Sequence, residues 1–125
     1  MIYLDTHAAI WLAEGKTELF GIASLAALEA ESVIRISPMV ALELQFLHEI
    51  GRLTVPGGEV LRILGEAIAL TVCQAPFPAV SQAALGESWV RDPFDRIIVA
   101  QARLSQSPLI TKDRLIRTNY PLTVW

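Results

Sequence analysis

The chain has four aspartates, Asp5, Asp92, Asp95 and Asp113, and none of them falls in an ordinary surface turn. Together with Glu43 they make a set of hard oxygen donors. Two carboxylates about 4 Å apart repel by roughly 4 kcal/mol at an effective dielectric near 20. Several gathered in one place raise each other's pKa values and partly neutralise. A divalent cation removes that cost. Oxygen donors without thiolate or imidazole favour magnesium or manganese over zinc, and the single cysteine and two histidines are too few for a zinc site. A cation of this kind binds a phosphate oxygen, lowers the pKa of a bound water and steadies a leaving oxygen. The chemistry these residues point to is phosphodiester hydrolysis.

Each acid also has a purely structural reading. Asp92 precedes Pro93 and reads first as a helix N-cap, with Asp95 three residues on as its capping-box partner. For Asp95 a cap and a metal role are compatible, because a first-turn residue can also face a sheet edge. Asp113 can cap the turn after it. Asp5 ends an apolar run, Ile2-Tyr3-Leu4, and has no evident structural task. Glu43 falls on the stripe traced by Met39, Leu42, Phe46 and Ile50, which helical periodicity marks as buried. A carboxylate there must be paired, protonated or bound to a metal, and Arg35 or Arg52 can supply a structural ion pair instead.

The elements that must position these acids alternate between short β-branched runs and longer helical ones. Strands are expected at residues 2–5, 33–37, 70–73, 108–111 and 122–125. Helices are expected at about 6–13 with Thr6 as N-cap, 20–31, 37–50 stopped by Gly51, 59–69, 78–85, 92–105, and a helical turn from about Asp113. Repeated β-then-α order implies a parallel sheet with helices on both faces, an α/β fold. In such sheets ligands bind beyond the carboxyl ends of the strands, where strand order reverses. Asp5 and Asp113 lie at that edge, and Asp92 and Asp95 open a helix that feeds it.

At 125 residues, 53% apolar and mean hydropathy +0.45, the chain fits one domain, residues 1–125, with more apolar surface than its own core can hold. An oligomer or a bound partner is expected. No targeting segment is expected, and the most apolar stretch, Phe20 to Ala30, is too short to span a bilayer; a cytoplasmic, membrane-free protein follows. The net charge of −3 hides an asymmetry. Residues 91–117 carry six basic residues against three acids, net +3, and the remainder is net −6. That basic third reads as a phosphate-facing surface or as a solvated helix face.

In order along the chain, Ile2-Tyr3-Leu4-Asp5-Thr6-His7, the Ser37-Pro38 start of the Glu43 helix, Asp92-Pro93-Phe94-Asp95-Arg96, Leu109-Ile110-Thr111-Lys112-Asp113 and a closing strand ending at Trp125 match one family. The chain resembles the PIN-domain ribonucleases, and among them the VapC-type toxins of type II toxin–antitoxin systems. The resemblance spans essentially the whole chain, and the Asp-Pro-Phe-Asp-Arg segment is its most specific part. It implies a PIN-like fold with central strand order 3-2-1-4-5. It also implies a Mg2+- or Mn2+-dependent endoribonuclease with its acidic site at Asp5, Glu43, Asp95 and Asp113. Thr6, Asp92 and Thr111 fall beside that site; Arg96 and the other basic residues nearby are expected to meet the RNA backbone, with no single arginine assigned by the motif. A homodimer and a cognate antitoxin whose C-terminal segment fills the groove are implied as partners.

His7, expected to be exposed, and His48, well round its helix from Glu43, are poor catalytic candidates. Trp11, Trp89 and Phe94 read as packing residues rather than base-stacking platforms. Two other functions fit parts of the pattern. Phosphoryl transfer through an aspartyl intermediate would also place an aspartate after the first strand, but such enzymes carry a second aspartate where this chain has His7. A non-catalytic PIN-like scaffold that binds RNA or protein is the other.

Overall fold

The computed structural model describes all 125 residues. Five parallel strands, β1 (Ile2–Leu4), β2 (Ile34–Ile36), β3 (Thr71–Val72), β4 (Leu109–Ile110) and β5 (Thr123–Val124), pair in the order β3-β2-β1-β4-β5. The expected order 3-2-1-4-5 is the one observed. Tyr3 sits beside Arg35 on one side and Leu109 on the other. All three residues of β1 are buried. Successive side chains point to opposite faces, so both faces of the central strand are covered, as a parallel sheet requires.

The chain winds outward from β1 to β3, then returns across the sheet to β4 on the other side of β1. This reversal puts the switch point between β1 and β4, next to Asp5 and Thr111. Helices α1 (Thr6–Ala13), α2 (Ile22–Ala30), α3 (Pro38–Glu49), α4 (Gly57–Ile68), α5 (Phe77–Ala84), α6 (Pro93–Leu104) and α7 (Arg114–Asn119) fill the connections. A core of 21 buried residues joins β1, β2 and β4 to α1, α3, α4 and α6.

Local chemistry explains most boundaries. Ser37 caps α3 by accepting from the Met39 N–H, with Pro38 at the first turn. Gly51, at φ 80°, takes the left-handed turn that ends the segment. Gly57 starts α4 two residues earlier than expected; its N–H donates to the Gln45 Oε1 at 3.0 Å, and α4 packs so tightly on α3 there that a Cβ would lie 2.8 Å from the Gln45 N. The expected helix at 20–31 is shorter, Ile22–Ala30, and follows a 3-10 turn at Thr17–Leu19. Phe20 instead enters the core, stacked on Trp125 at 5.1 Å between centroids.

Two expectations are corrected. Thr6 is not the N-cap of α1; Asp5 is, its Oδ1 accepting from the Ala8 N–H at 2.9 Å. Asp5 therefore has the structural task the sequence did not suggest. On α3, Leu42, Phe46 and Ile50 are exposed, and Val40 and Leu44 face the core. Glu43 is half-buried at the boundary rather than inside an apolar stripe.

Candidate active site

The acids reach the carboxyl edge from four elements. Asp5 follows β1, Asp113 follows β4, Glu43 projects from the second turn of α3, and Asp92 and Asp95 open α6. Three of them also cap helices. Asp5 Oδ1 accepts from Ala8, Asp92 Oδ1 from the Asp95 N–H at 3.1 Å, and Asp113 Oδ1 from the Ile116 N–H at 2.9 Å. Each cap engages only Oδ1, leaving Oδ2 for another partner. The return bond of a capping box, from the Asp95 carboxylate to the Asp92 N–H, is not made. No hydrogen bond reaches either oxygen of Asp95, and no ion pair reaches Glu43. Arg35 and Arg52, the structural partners considered for Glu43, are both unpaired with it.

Electrostatics show how closely the carboxylates converge. Burial raises the Asp95 carboxyl to about 7, reinforced by the charges of Asp92, Glu43, Asp113 and Asp5. Every other acid of the set therefore acts on Asp95. Burial also raises Asp5, which is 7% exposed, against the opposing pull of the Thr111 hydroxyl and the Ala8 N–H. Glu43 is raised by burial as well, opposed by the adjacent Thr6 hydroxyl and increased by Asp92. Like charges held this close repel, and a cation among them would relieve that repulsion.

The donor set suits a hard divalent ion. His7 is exposed beside the acids, His48 turns its Nδ1 to the Leu53 carbonyl at 2.9 Å, and the Cys73 thiol lies against Tyr3, away from them. The Thr6 Oγ1 is buried at the cluster and has no hydrogen-bond partner, as a hydroxyl that orients a carboxylate or water at an ion would be left in the chain alone. No three His, Cys, Asp or Glu side chains close to ligating geometry by themselves.

A groove of about 590 Å³ runs from this cluster, with Glu43 and Asp92 in its wall and Trp11, Phe46, Ile50 and Arg52 along it. Phe46 stacks on Phe94 of α6 at 5.7 Å, and Trp11 packs on Phe20 and Trp125; both aromatics serve packing, as expected. The basic third is not one uniform surface. Arg96, expected to face RNA, donates its Nε to the Ala84 carbonyl at 2.8 Å and its Nη2 to Leu85 at 3.3 Å, which ties it to the end of α5. Arg103 pairs with Glu87. Arg91, Lys112, Arg114 and Arg117 are exposed and unpaired.

Sequence reasoning missed Glu87. It is 2% exposed, paired to Arg103 sixteen residues away, and accepts from the Trp89 indole at 2.6 Å. No local motif signals a pair between a loop and the last turn of α6. The signal available, an acid in an otherwise apolar loop before Trp89, was too weak to read.

Comparison with known proteins points to one family and one fold. The family described as PIN domain matches residues 2–119. Ribonuclease VapC22 of Mycobacterium tuberculosis is 33% identical over 129 residues, covering 99% of this chain and 98% of the relative. Two solved structures share the fold. One is VapBC2 from Rickettsia felis bound to a DNA fragment from its promoter, with TM-score 0.65, 17% identity and all of both chains covered. The other is a toxin–antitoxin complex from Klebsiella pneumoniae, with TM-score 0.70 and 21% identity over 100% of this chain and 97% of that one.

Proposed function

The chain belongs to the PIN-domain family, and from that premise we propose that it is a metal-dependent endoribonuclease of the VapC type, the toxin of a toxin–antitoxin pair. The observation that carries this reading is Asp95, whose carboxyl is raised to about 7 first by burial and then by the charges of all four other acids. Asp5, Glu43, Asp95 and Asp113 would hold Mg2+ or Mn2+, directly or through water. When bound, the ion supplies Lewis-acid stabilisation of the phosphate and a water of lowered pKa.

The chain's own residues have separable tasks. Asp95, whose carboxylate accepts no hydrogen bond, and Glu43, which no cation pairs, are the principal donors and hold the attacking water in line. Asp5 and Asp113 keep one oxygen on a helix N–H, so their second oxygens are fixed in direction. Thr6 and Thr111 orient Glu43 and Asp5. Asp92 holds the first turn of α6, and with it Asp95, while adding negative charge. Lys112, Arg114 and Arg117 are the cations nearest in sequence to Asp113 and the ones free to meet RNA phosphates. Arg96 contributes mainly by fixing α5 against α6. A cognate antitoxin and a second copy of the chain are the protein partners this reading includes.

A non-catalytic scaffold draws support from one observation: three of the acids already serve as caps. Asp95, which accepts no hydrogen bond, and Glu43, which caps no helix and pairs with no cation, weigh against it, because capping does not explain either carboxylate in a half-buried cluster. Thermal unfolding with and without Mn2+ separates the two. The nuclease predicts a rise in melting temperature on adding Mn2+ that disappears in Asp95→Asn. A flat response in the wild-type chain would leave only the scaffold.

A further inference from the structure

The acidic groove extends well past the acids, along one side of α3. Its wall carries Glu43, Phe46, Leu47 and Ile50, a spacing that one face of a helix presents together. From Glu43 to Ile50 the helix rises about 10 Å. Phe46 is 43% exposed and Ile50 49%, while the core takes Val40 and Leu44 from the same helix. Phe46 is fixed by its stack on Phe94 at 5.7 Å, so a held aromatic ring stands partly open in the groove. Beyond Ile50 the chain turns at Gly51 and reaches Arg52, which also lies in the wall. That turn is held twice. The Arg52 N–H donates to the Leu47 carbonyl at 2.8 Å, and the His48 Nδ1 lies 2.9 Å from the Leu53 carbonyl. The Arg52 guanidinium makes no ion pair, whereas Lys16, the other cation of the wall, pairs with Glu14.

We propose that this stretch is a subsite for one unpaired nucleotide beside the scissile phosphate, with its base on Phe46 and its far phosphate on Arg52. Such a subsite presupposes the nuclease reading. Charge decides the occupant. With a divalent ion among the acids, both ends of the groove favour anions, and an aromatic side chain lies between them. A nucleotide within a strand has that layout, with a phosphate on each side and a base to stack. A peptide backbone carries no such repeat of charge. A base paired in a duplex cannot turn its face to Phe46, so the substrate is a single-stranded segment or loop. Stacking on a phenylalanine tolerates every base. The subsite therefore selects unpaired RNA rather than a sequence, and Phe46 and Arg52 bind the strand and hold it in register for the cut.

The test uses adenosine 3′,5′-bisphosphate, which carries a base and two phosphates but no diester to cut, beside adenosine 3′-monophosphate, adenosine 5′-monophosphate and inorganic phosphate. In calorimetry with Mg2+ present, the wild-type chain should bind the bisphosphate about tenfold more tightly than either monophosphate, as expected for one added charge-assisted contact. Arg52→Gln should remove that advantage, and Arg52→Lys should restore part of it. Phe46→Leu, which keeps an apolar contact for Phe94, should weaken all three nucleotides about fivefold and leave inorganic phosphate unchanged. Cleavage of total cellular RNA by the wild-type chain reports on the nuclease separately. RNA cut by a chain in which the bisphosphate has no advantage, or keeps it in Arg52→Gln, would overturn the subsite and leave the far end of the groove to a protein partner. RNA left whole, with no Mg2+-dependent nucleotide binding, would overturn the nuclease reading and the subsite with it.

Discussion

At the scale of single residues, Asp95 is where structure and chemistry meet most sharply. Its carboxyl ordinarily titrates near 3.9 in an unfolded chain and is raised to about 7 in the fold, by burial first and neighbouring acids second. A raised folded value means that its contribution to stability is fully present below about pH 4 and is lost as pH rises through about 7. The ion-free chain should therefore be less stable at pH 8 than at pH 5. Asp95→Asn should raise its stability at pH 8 by on the order of 1–2 kcal/mol, after allowance for solvent screening of a partly exposed group. The gain should vanish near pH 4, where the wild-type carboxyl is already neutral. Urea titrations at the two pH values check this, and equal effects at both would show that Asp95 does not feel the other acids. Asp5 admits a second separation. Asparagine caps a helix about as well as aspartate, whereas alanine loses about 1 kcal/mol. Asp5→Asn should keep wild-type stability and lose cleavage, and Asp5→Ala should lose both. If Asp5→Asn cuts RNA at the wild-type rate, Asp5 is a cap and nothing more.

At the scale of elements, the site is assembled by helix starts. Helices α1, α6 and α7 each begin on an aspartate whose side chain accepts an N–H from their first turn, so the bonds that begin the helices also fix the acids. The caps at Asp92 and Ser37, the stop at Gly51 and the strand starts were legible because each rests on a local rule linking one residue type to one backbone position. Glu43 was singled out for a partly wrong reason. Periodicity marked Leu42, Phe46 and Ile50 as buried, but those side chains face outward, because the core takes Val40 and Leu44. Periodicity identifies a helix well and its buried face less well when apolar residues ring most of the circumference. The carbonyl partners of Arg96 at the end of α5 were not legible, since they lie 11 and 12 residues away and no pattern joins them. The Glu87–Arg103 pair was likewise invisible, and it makes the fold depend on a contact far from the site. Arg103→Met would leave a buried carboxylate unpaired and should destabilise the chain by about 3 kcal/mol. Denaturant unfolding measures that loss, and a change below about 0.5 kcal/mol, the range of ordinary surface substitutions, would show that Trp89 alone satisfies Glu87.

At the scale of the whole molecule, no helix is long and apolar enough to cross a membrane, yet several large apolar side chains face outward. Leu42 (56% exposed) and Phe77 (65% exposed) rim an apolar hollow of about 240 Å³ between α3, α5 and α6. The composition anticipated this excess, but which residues would carry it depends on packing that no local pattern records. A second copy of the chain at this face would account for both side chains. Sedimentation should give the mass of two chains, and Leu42→Asp with Phe77→Asp should shift it to one. A single-chain mass for the wild type would remove the homodimer from the account.

Whether the converged acids cut RNA is decided by incubating total cellular RNA with purified, antitoxin-free protein and Mn2+ or Mg2+, beside Asp95→Asn. A nuclease yields discrete fragments from the wild-type chain alone, with 5′-phosphate and 3′-hydroxyl ends. Intact RNA with both proteins, once bound metal is confirmed, would contradict that activity and leave a PIN fold that binds without cutting.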